Sequence, residues 1–455
     1  MFRHFLLQAT TTPIPHDIPL PLPLPEWVLV IILVLSFLAH IVFVNLMLGG
    51  TILTLWAELK GRKEPEYDEL AHEIAKTITV NKSLAVVLGV APLLSINTLY
   101  TIYFYSANAL TGLMWIAIVP LVTIAFLLTY LHKYTWQQMM GHKSLHISII
   151  GAALAIFLFI PFIFLTNINL MLFPEKWGVV KGFLSALTLP NVFPRYLHFL
   201  LSSLAVTGLF LFWYMGRSRY PFAVHFKHLT RYDVQRQCYT LALGASAAQF
   251  IIGPVVLLTL PAKGVGMNLI VIIICGAAVS IPAMWWMWKR ISGPPAEIRK
   301  GYFKVVVCLG VTVLFMGSGR HVYRANALAF HQRQVAAKTR VFQQLSAEAR
   351  AAAASNDTAA TAGSTEGGPG KPVGGEGKAL FQQYCGACHH KENKLVGPPM
   401  TEMVSIYRDD MPGLKRWIKH PGKKRAGYPQ MPAFEGVLKE AELENVVAYI
   451  LSIQQ

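Results

Sequence analysis

The sequence predicts an all-α fold in which an eight-span transmembrane helical bundle is followed by a small C-terminal helical domain. Of the 455 residues, 54% are hydrophobic and only 14% are charged, and the mean hydropathy is +0.45. Apolar runs of about 20 residues, the length that crosses a bilayer, recur through the first two thirds of the chain. A Gly/Ser/Thr-rich segment follows, and then a stretch with amphipathic helical spacing.

Eight apolar segments are long enough to be membrane spans. They are approximately Trp27–Trp56, Leu84–Phe104, Leu113–Leu131, Ile147–Leu170, Leu197–Met215, Leu241–Leu260, Met267–Trp288 and Phe303–Arg320. The first is too long for a signal peptide and lacks a cleavage-site pattern, so we expect it in the mature protein. A membrane domain is therefore expected at 27–323, after an external segment at 1–26.

The residues between this domain and the C-terminal domain are expected to form a linker, 324–376. Arg324–Ala354 is rich in Ala, Gln and Arg and predicts a helical extension of the last span. Ser355–Glu376 is rich in Gly, Ser and Thr and predicts a flexible tether.

A CxxCH motif lies near the C-terminus, at Cys385, Cys388 and His389. Two thiols at this spacing form thioethers with the vinyl groups of a haem, and the adjacent imidazole binds the iron. Chance matches and zinc half-sites share the spacing, but no second cysteine pair follows. A sixth iron ligand is available in a proline-flanked methionine, Met431. The motif predicts one covalently bound haem c and a redox protein.

Residues 377–455 resemble class I cytochrome c over their whole length. A helix runs from Gly377 into the CxxCH motif, and an amphipathic helix closes the domain. The resemblance implies that these two helices cross, that His389 is the proximal iron ligand, and that Met431 is the distal one. Two filled axial positions imply a relatively high reduction potential and pure electron transfer.

The same resemblance implies that the Pro398 region packs against the proximal imidazole. Three other methionines are expected in the core or in loops: Met400, Met403 and Met411. The cysteines outside the motif are interpreted as small residues in or beside spans: Cys238, Cys275 and Cys308.

Loop charges predict the topology. The loops assigned to the inner side are rich in Lys and Arg, whereas those assigned outside carry Lys176, Lys181 and Lys263. Because the cytochrome family attaches haem c on the outer side of the bacterial inner membrane, and eight spans place both ends together, we expect a periplasmic N-terminus and C-terminal domain. Much of the formal charge of +17 is this positive-inside bias, so no nucleic-acid partner is expected.

Three histidines lie within predicted spans, where an ionisable side chain needs a partner or a function. His40 is in span one, His198 is just inside the outer end of span five, and His321 is at the outer end of span eight. Neutral imidazoles between helices bind the iron of b-type haem, so all three are candidate haem b ligands. The alternative is a hydrogen-bonded core histidine. Five further histidines lie in or beside the loops assigned to the inner side: His132, His142, His146, His225 and His228. They are expected at the surface, although for His146 a place in the core is the alternative.

Residues 26–325 resemble cytochrome bd oxidase subunit I in short segments. The matches are Ala39–Gly50 with His40, Pro194–Phe199 with His198, Gly317–His321, and Met267. The first is similar to a segment that ligates a haem of the di-haem active site, and the second to the segment that supplies the low-spin haem b ligand. The third is similar to a Glu-x-Gly-Arg-Gln-Pro-Trp motif, and Met267 falls where that family places the methionine opposite the low-spin histidine. The resemblance implies one or two haems b.

The departures from that family concern its chemistry. Gly317 stands where the family has a glutamate ligand, span three contains no acidic residue, and only Pro261–Gly266 remains of the long quinol loop. These losses weigh against oxygen reduction and quinol oxidation. His321 is a candidate replacement ligand that would pair with His198 or Met267.

The leading interpretation is a membrane electron-transfer subunit that passes electrons between haem c and haem b, with periplasmic redox proteins and other respiratory subunits as partners. Two alternatives remain: a bd-type oxygen reductase subunit supplied by haem c, with His40 on the reactive haem, or an anchor whose spans bind no haem. A basic run is a candidate docking surface for an acidic redox partner, or simply a solvated face: Lys415, Arg416, Lys419, Lys423, Lys424 and Arg425.

Overall fold

The computed structural model describes residues 22–362 and 375–453, apart from 387, 394–395 and 423–429; side chains at 79–81, 346 and 349–362 are also left undescribed. Every regular element in these ranges is a helix, and none is a strand. Eight of the helices are long and apolar enough to cross a membrane. The predicted all-α, eight-span architecture is therefore confirmed.

The chain forms two compact units, Met1–Glu348 and Ala349–Gln455. The first unit contains ten complete helices in its described residues: α1 Glu26–Gly61, α2 Pro65–Leu99, α3 Thr101–Thr111, α4 Leu113–Tyr134, α5 Lys143–Leu170, α6 Phe183–Leu187, α7 Val192–Gly216, α8 Phe222–His225, α9 Arg231–Leu258 and α10 Met267–Ile291. An eleventh helix, α11 Tyr302–Ala362, begins in this unit and continues past Glu348. The spanning helices are α1, α2, α4, α5, α7, α9, α10 and α11.

The second predicted span differs from the structure at both of its ends. Helix α2 begins at Pro65, far before the expected start at Leu84, because the polar sequence there continues the helix beyond the apolar run. It ends at Leu99, where Tyr100 leaves helical geometry with φ −131° and ψ 39°. The remaining apolar residues form the separate helix α3.

Helix α11 also departs from the predicted linker. The helical extension expected after Arg324 is present, but it continues to Ala362 and so includes the first eight residues of the segment predicted to be flexible. Alanine favours helix strongly, and no glycine or proline interrupts the sequence before Gly363. Residues 363–374 of that segment lie outside the described residues, and its last two, Gly375 and Glu376, already belong to the next helix.

Small residues allow the spanning helices to approach closely. A side chain at Gly49 of α1 would collide with Ser203 and Thr207 of α7, and the Thr207 hydroxyl donates a 3.1 Å hydrogen bond to the Asn45 carbonyl. A Cβ at Gly208 of α7 would lie 2.7 Å from the Cys238 carbonyl oxygen of α9. Close contacts of this kind, together with interhelical hydrogen bonds, are what associate helices in a bilayer.

After the end of α11, the described residues of the second unit contain four short helices, α12 Gly375–Tyr384, α13 Met400–Tyr407, α14 Met411–Lys419 and α15 Glu440–Leu451. Its core includes Phe381, Val404, Val446 and Val447, all 4% exposed or less. Helices α12 and α15 cross where Gly377 lies against the backbone of Asn445, and the rings of Phe381 and Tyr449 are 5.6 Å apart nearby. Only a glycine fits at this crossing, because any side chain there would overlap α15.

Candidate haem sites

The CxxCH motif forms a tight turn directly after α12. The Cys385 amide donates to the Phe381 carbonyl at 2.8 Å, and the Cys385 carbonyl accepts from the amides of Cys388 and His389 at 3.1 and 3.0 Å. These bonds fold the two cysteines and the histidine into one turn, as attachment to a single haem requires. Cys385 is 7% exposed, and burial, followed by the proximity of Cys388, raises the pKa of its thiol to about 11.

The imidazole of His389 is oriented by its own backbone neighbours. Its Nδ1 donates to the Pro398 carbonyl at 2.8 Å, which assigns the proton to Nδ1 and leaves the Nε2 lone pair for a metal. The ring lies against Gly397, where a Cβ would be only 2.9 Å from Nε2. Pro398 therefore contacts the proximal imidazole through its carbonyl, and Gly397 leaves room for the ring.

Met431 lies at the edge of the core of the second unit, where its half-buried side chain packs against the buried residues. Tyr428 and Pro429, which precede Met431 in the proline-flanked segment, lie outside the described residues. Among the alternative methionines, Met400 is 2% exposed within the core and Met411 is 42% exposed. Met400 therefore lies in the core, as expected, and Met403 is partly buried against it, whereas Met411 is the exposed first residue of helix α14 and not a loop residue.

The structure places His40 of α1 against α2. Its Nδ1 donates to the Ala85 carbonyl at 2.7 Å, and a Cβ at Gly89 would lie 3.0 Å from its Cε1 atom. The proton is thus fixed on Nδ1, and Nε2 is the nitrogen left for another partner. His40 has the ring orientation that a backbone carbonyl gives to metal-binding histidines.

His198 of α7 has a buried Nδ1 atom with no hydrogen-bond partner among the described residues. Its backbone carbonyl accepts from the Ser202 hydroxyl at 3.0 Å and from Gln249 at 3.4 Å. An imidazole nitrogen buried without a partner costs free energy, which makes His198 a candidate for a ligand from outside the polypeptide.

His321 of α11 also has a buried Nδ1 without a partner in the described part of the chain. It lines an apolar cavity of about 260 Å³ between α1 and α11, together with Ser318 and residues such as Val34 and Leu35. Close by, Gly317 packs against Leu38, to which a Cβ would approach within 3.0 Å. At Gly317, where cytochrome bd oxidase subunit I has a glutamate ligand, the close contact between helices therefore leaves no room for a longer side chain.

Met267 is the weakest of the predicted iron ligands. It is the first residue of α10, and its side chain is 73% exposed. An axial haem ligand is normally enclosed with the haem, and the structure records no contact that joins Met267 to His198.

Three arginines lie beside these histidines: Arg195 one turn before His198, Arg320 immediately before His321, and Arg324 one turn further along α11. Each guanidinium is close enough to another of the three to repel it. Arg320 lies 5.2 Å from the Phe37 ring and Arg324 5.1 Å from the Tyr100 ring.

No ion pair to a carboxylate is recorded for any of these arginines within the described residues. Arg324 is buried, and Arg195 and Arg320 are half-buried. Arginines withdrawn from water normally pair with an anion, so the group, which we call the arginine cluster, is suited to the carboxylates of a bound cofactor. The sequence signal was present in the Arg-x-x-His and Arg-His spacings, but the spacing did not reveal that the arginines converge.

Several inner-loop histidines are not where the sequence suggested. His132 was expected at the surface but is 1% exposed, and His146 is also 1% exposed in the core. His225, likewise expected at the surface, is partly buried and pairs with Glu69 at 2.9 Å. Packing against carboxylates of α1 and α2, which loop composition does not reveal, explains the difference.

Comparison with known families identifies the second unit. A family model described as Cytochrome C oxidase, cbb3-type, subunit III matches residues 373–450. No match is found among curated proteins. The match covers only the C-terminal part of the chain, which is therefore a cytochrome c domain and implies a covalently bound haem c. It confirms the predicted cytochrome c resemblance and leaves the bd-like resemblance without support.

Proposed function

We propose that the protein is a membrane-bound electron-transfer subunit of a respiratory chain, in which electrons pass between haem c on the C-terminal domain and one or two haems b in the first unit. One observation carries the proposal beyond the cytochrome c domain. A buried imidazole nitrogen of His198 without a partner lies beside the arginine cluster, which has no carboxylate partner among the described residues. The iron of a haem would supply the missing partner of the imidazole nitrogen, and its propionates would supply the missing carboxylates.

The residues of the cytochrome c domain fit haem c. Cys385 and Cys388 would hold it covalently, His389 presents Nε2 to the iron, and Met431 is the proposed distal ligand. The bound haem supplies reversible one-electron transfer. The polypeptide contributes by fixing the His389 tautomer through the Pro398 carbonyl, which orients the ring and raises its basicity.

The first unit has residues suited to both parts of a haem b, the iron and the propionates. His198 and His321 each have a buried nitrogen without a partner, and His40 has one nitrogen fixed by Ala85. Arg195 and Arg320 would hold propionates near the outer face. Met267 remains a candidate second ligand to His198 only if a bound haem or partner subunit encloses it.

The inner membrane of a bacterium, with both termini in the periplasm, is the location that agrees best with the loop charges. That location allows haem attachment on the outer side and contact with periplasmic redox proteins. The described helices agree with the topology, because the basic residues Lys60, Lys133, Lys289 and Arg290 all fall in the last turns of helices whose C-terminal ends are assigned inside.

A second candidate function, a bd-type oxygen reductase subunit, is favoured by His40. This imidazole is oriented like a metal ligand and has one nitrogen available. The absence of an acidic residue from α4 and the occupied position of Gly317 weigh against it. A membrane anchor without haem b would leave Nδ1 of His198 and Nδ1 of His321 without a partner from the described residues.

Haem analysis of the purified full-length chain separates these functions. Reduced pyridine haemochrome spectra give the ratio of haem b to haem c, which we expect to be one or two. Carbon monoxide difference spectra detect a haem with an open axial position. Haem c alone would leave only the anchor function, whereas a carbon monoxide response lost in His40→Ala would favour the oxygen reductase.

A further inference from the structure

One carboxylate and two imidazoles form a buried group at the predicted inner ends of three spans. Glu58 of α1 is 0% exposed, and His132 of α4 and His146 of α5 are each 1% exposed. Their potential ligand atoms all lie within 4.8 Å of one another. None of the three belongs to the candidate haem sites. Ionisable groups buried at such a position are costly and normally have a function.

The hydrogen bonds of His146 show what the group requires. Its Nε2 lies 2.8 Å from the His132 carbonyl oxygen, which only accepts, so Nε2 carries a proton. Its Nδ1 faces a carboxylate oxygen of Glu58. In a neutral imidazole this second nitrogen is a bare lone pair, so two acceptors are in contact. Three cations can stabilise this contact: an extra proton on Nδ1, the Lys143 ammonium that also reaches this Glu58 oxygen, or a metal ion.

We propose that this group binds a divalent transition metal ion through Glu58, His132 and His146. Two imidazoles and a carboxylate are the protein ligands of many zinc sites, with a fourth position open to solvent or substrate. The second carboxylate oxygen of Glu58 lies 2.8 Å from His132 Nε2, so all three side chains converge. The bond from His146 Nε2 to a backbone carbonyl is the contact that commonly fixes a metal-binding histidine.

Lys143 is the competitor for this site. Its Nζ lies 2.8 Å from the Glu58 oxygen that faces His146. The same ammonium also pairs with Asp68, and the Lys143 side chain is 24% exposed. Lys143 can therefore leave Glu58 for a metal ion while it keeps Asp68 as its partner. Removing Lys143 should therefore strengthen metal binding. If these side chains only formed ion pairs with one another, its removal would have no such effect.

Zinc binding to the full-length, haem-loaded protein tests the proposal after removal of any affinity tag. The protein is equilibrated with Zn²⁺, free ion is removed, and bound zinc is measured by elemental analysis. We expect about one zinc per chain, and at least roughly 10-fold weaker binding in His146→Gln and His132→Gln, since loss of a ligand should cost no less than loss of a supporting contact. His142→Gln is the matched control, because that histidine is four residues away and exposed.

Two further variants keep the test decisive if a histidine variant fails to fold. Glu58→Gln preserves shape but removes the anionic ligand, and Lys143→Met removes the competing cation. Retained haem c staining and an unchanged haem b to haem c ratio report intact protein. Tighter zinc binding by Lys143→Met supports the site. No zinc in the wild type, or equal binding by His146→Gln and His142→Gln, would overturn it.

Discussion

The two units of the molecule specify their candidate cofactor sites in opposite ways. In the cytochrome c domain, the attachment residues and the carbonyl that orients His389 all lie between Cys385 and Pro398. In the first unit, which contains the apolar spanning helices and which we call the membrane unit, the candidate ligands come from three helices that are distant in sequence: His40, His198 and His321. A short motif defines the first kind of site, whereas helix packing alone creates the second.

This difference affects how each site can be recognised. In the cytochrome c domain the spacing of Cys385, Cys388 and His389 is itself the signal. In the membrane unit the signal is a polar atom that packing leaves unsatisfied, such as Nδ1 of His198. Single histidines in a span are ambiguous, but an orphaned nitrogen beside three arginines that have no carboxylate partner among the described residues is much less so.

Removal of the two motif thiols is expected to have the largest effect. The variant Cys385→Ala/Cys388→Ala should lose all covalent haem, because both thioether bonds disappear while other haems are held only by coordination. Haem staining on denaturing gels measures this loss. Cys238→Ala is the control, since Cys238 is a buried cysteine of the first unit that does not belong to the motif. Covalent haem that persists in the double variant would contradict the attachment assignment.

Loss of the His198 imidazole tests the opposite region. His198→Ala should lower the haem b to haem c ratio by one haem and leave covalent haem c intact. The pyridine haemochrome spectrum measures both haems in one sample. His228→Ala, which changes an exposed histidine between α8 and α9, should leave the ratio unchanged. If His198→Ala and His40→Ala both retain a full haem b spectrum, the membrane unit is better regarded as an anchor.

Much of the fold could be predicted from sequence because hydropathy depends only on local composition. The eight spans follow from apolar runs, and the cytochrome c domain from its motif and terminal helices. Helix ends were less predictable. Helix α2 starts long before its apolar run and breaks at Tyr100, and α11 continues through alanine-rich sequence to Ala362.

The buried polar groups could not be predicted in the same way. His132 looked like a surface residue because Lys133 is its neighbour, yet it packs against Glu58 from another helix. Lys82 is fully buried, where it donates to the Thr129 hydroxyl at 2.7 Å and lies over the Tyr130 ring. Such positions depend on which helix faces meet, and the sequence of one helix does not contain that information.

Replacement of the proposed distal ligand should have an intermediate effect, confined to the cytochrome c domain. Met431→Ala should abolish the weak near-infrared iron–sulfur band of the oxidised protein and lower the haem c potential, by a fraction of the roughly 0.8 V that axial ligands span. Optical spectra and a redox titration measure these changes. The exposed Met411 provides the control Met411→Ala.

The buried Met400 sharpens this test, because it reports packing and not ligation. Met400→Ala should destabilise the domain by about 2–5 kcal/mol, as expected for truncating a core methionine, and leave the near-infrared band in place. Loss of the band in Met400→Ala and its retention in Met431→Ala would reverse the assignment.

A smaller effect is expected from the arginine cluster. Arg195→Gln should weaken retention of haem b by roughly 10- to 100-fold, since a hydrogen bond to a charged group contributes about 1.5–3 kcal/mol. The fraction of haem b lost on washing in detergent measures this, relative to covalent haem c. Arg217→Gln at the other end of α7 is the control, because its guanidinium bonds the Tyr214 carbonyl and lies over the Tyr214 ring. Equal loss from both variants would remove the role of the cluster in binding propionates.

The smallest effect is expected at the basic face of the cytochrome c domain, where sequence and structure give different weights to the same residues. Lys415 and Lys419 pair with Glu444 and Glu440 at 2.7 Å, and the hydrogen bond from Lys419 holds the pKa of Glu440 below its ordinary value. These two lysines are therefore largely neutralised at short range, and Lys423, Lys424 and Arg425 lie outside the described residues. We expect Lys415→Gln/Lys419→Gln to change the second-order rate with an acidic redox partner less than about 3-fold and to leave most of its salt dependence intact. Stopped-flow kinetics at several ionic strengths measure both quantities.

Lys391→Gln/Lys439→Gln is the control, with the same loss of charge at other exposed positions in the domain. A rate independent of salt in the unmodified protein would eliminate electrostatic steering altogether, whereas a large decrease in the Lys415→Gln/Lys419→Gln variant alone would show that the ion pairs open when a partner docks.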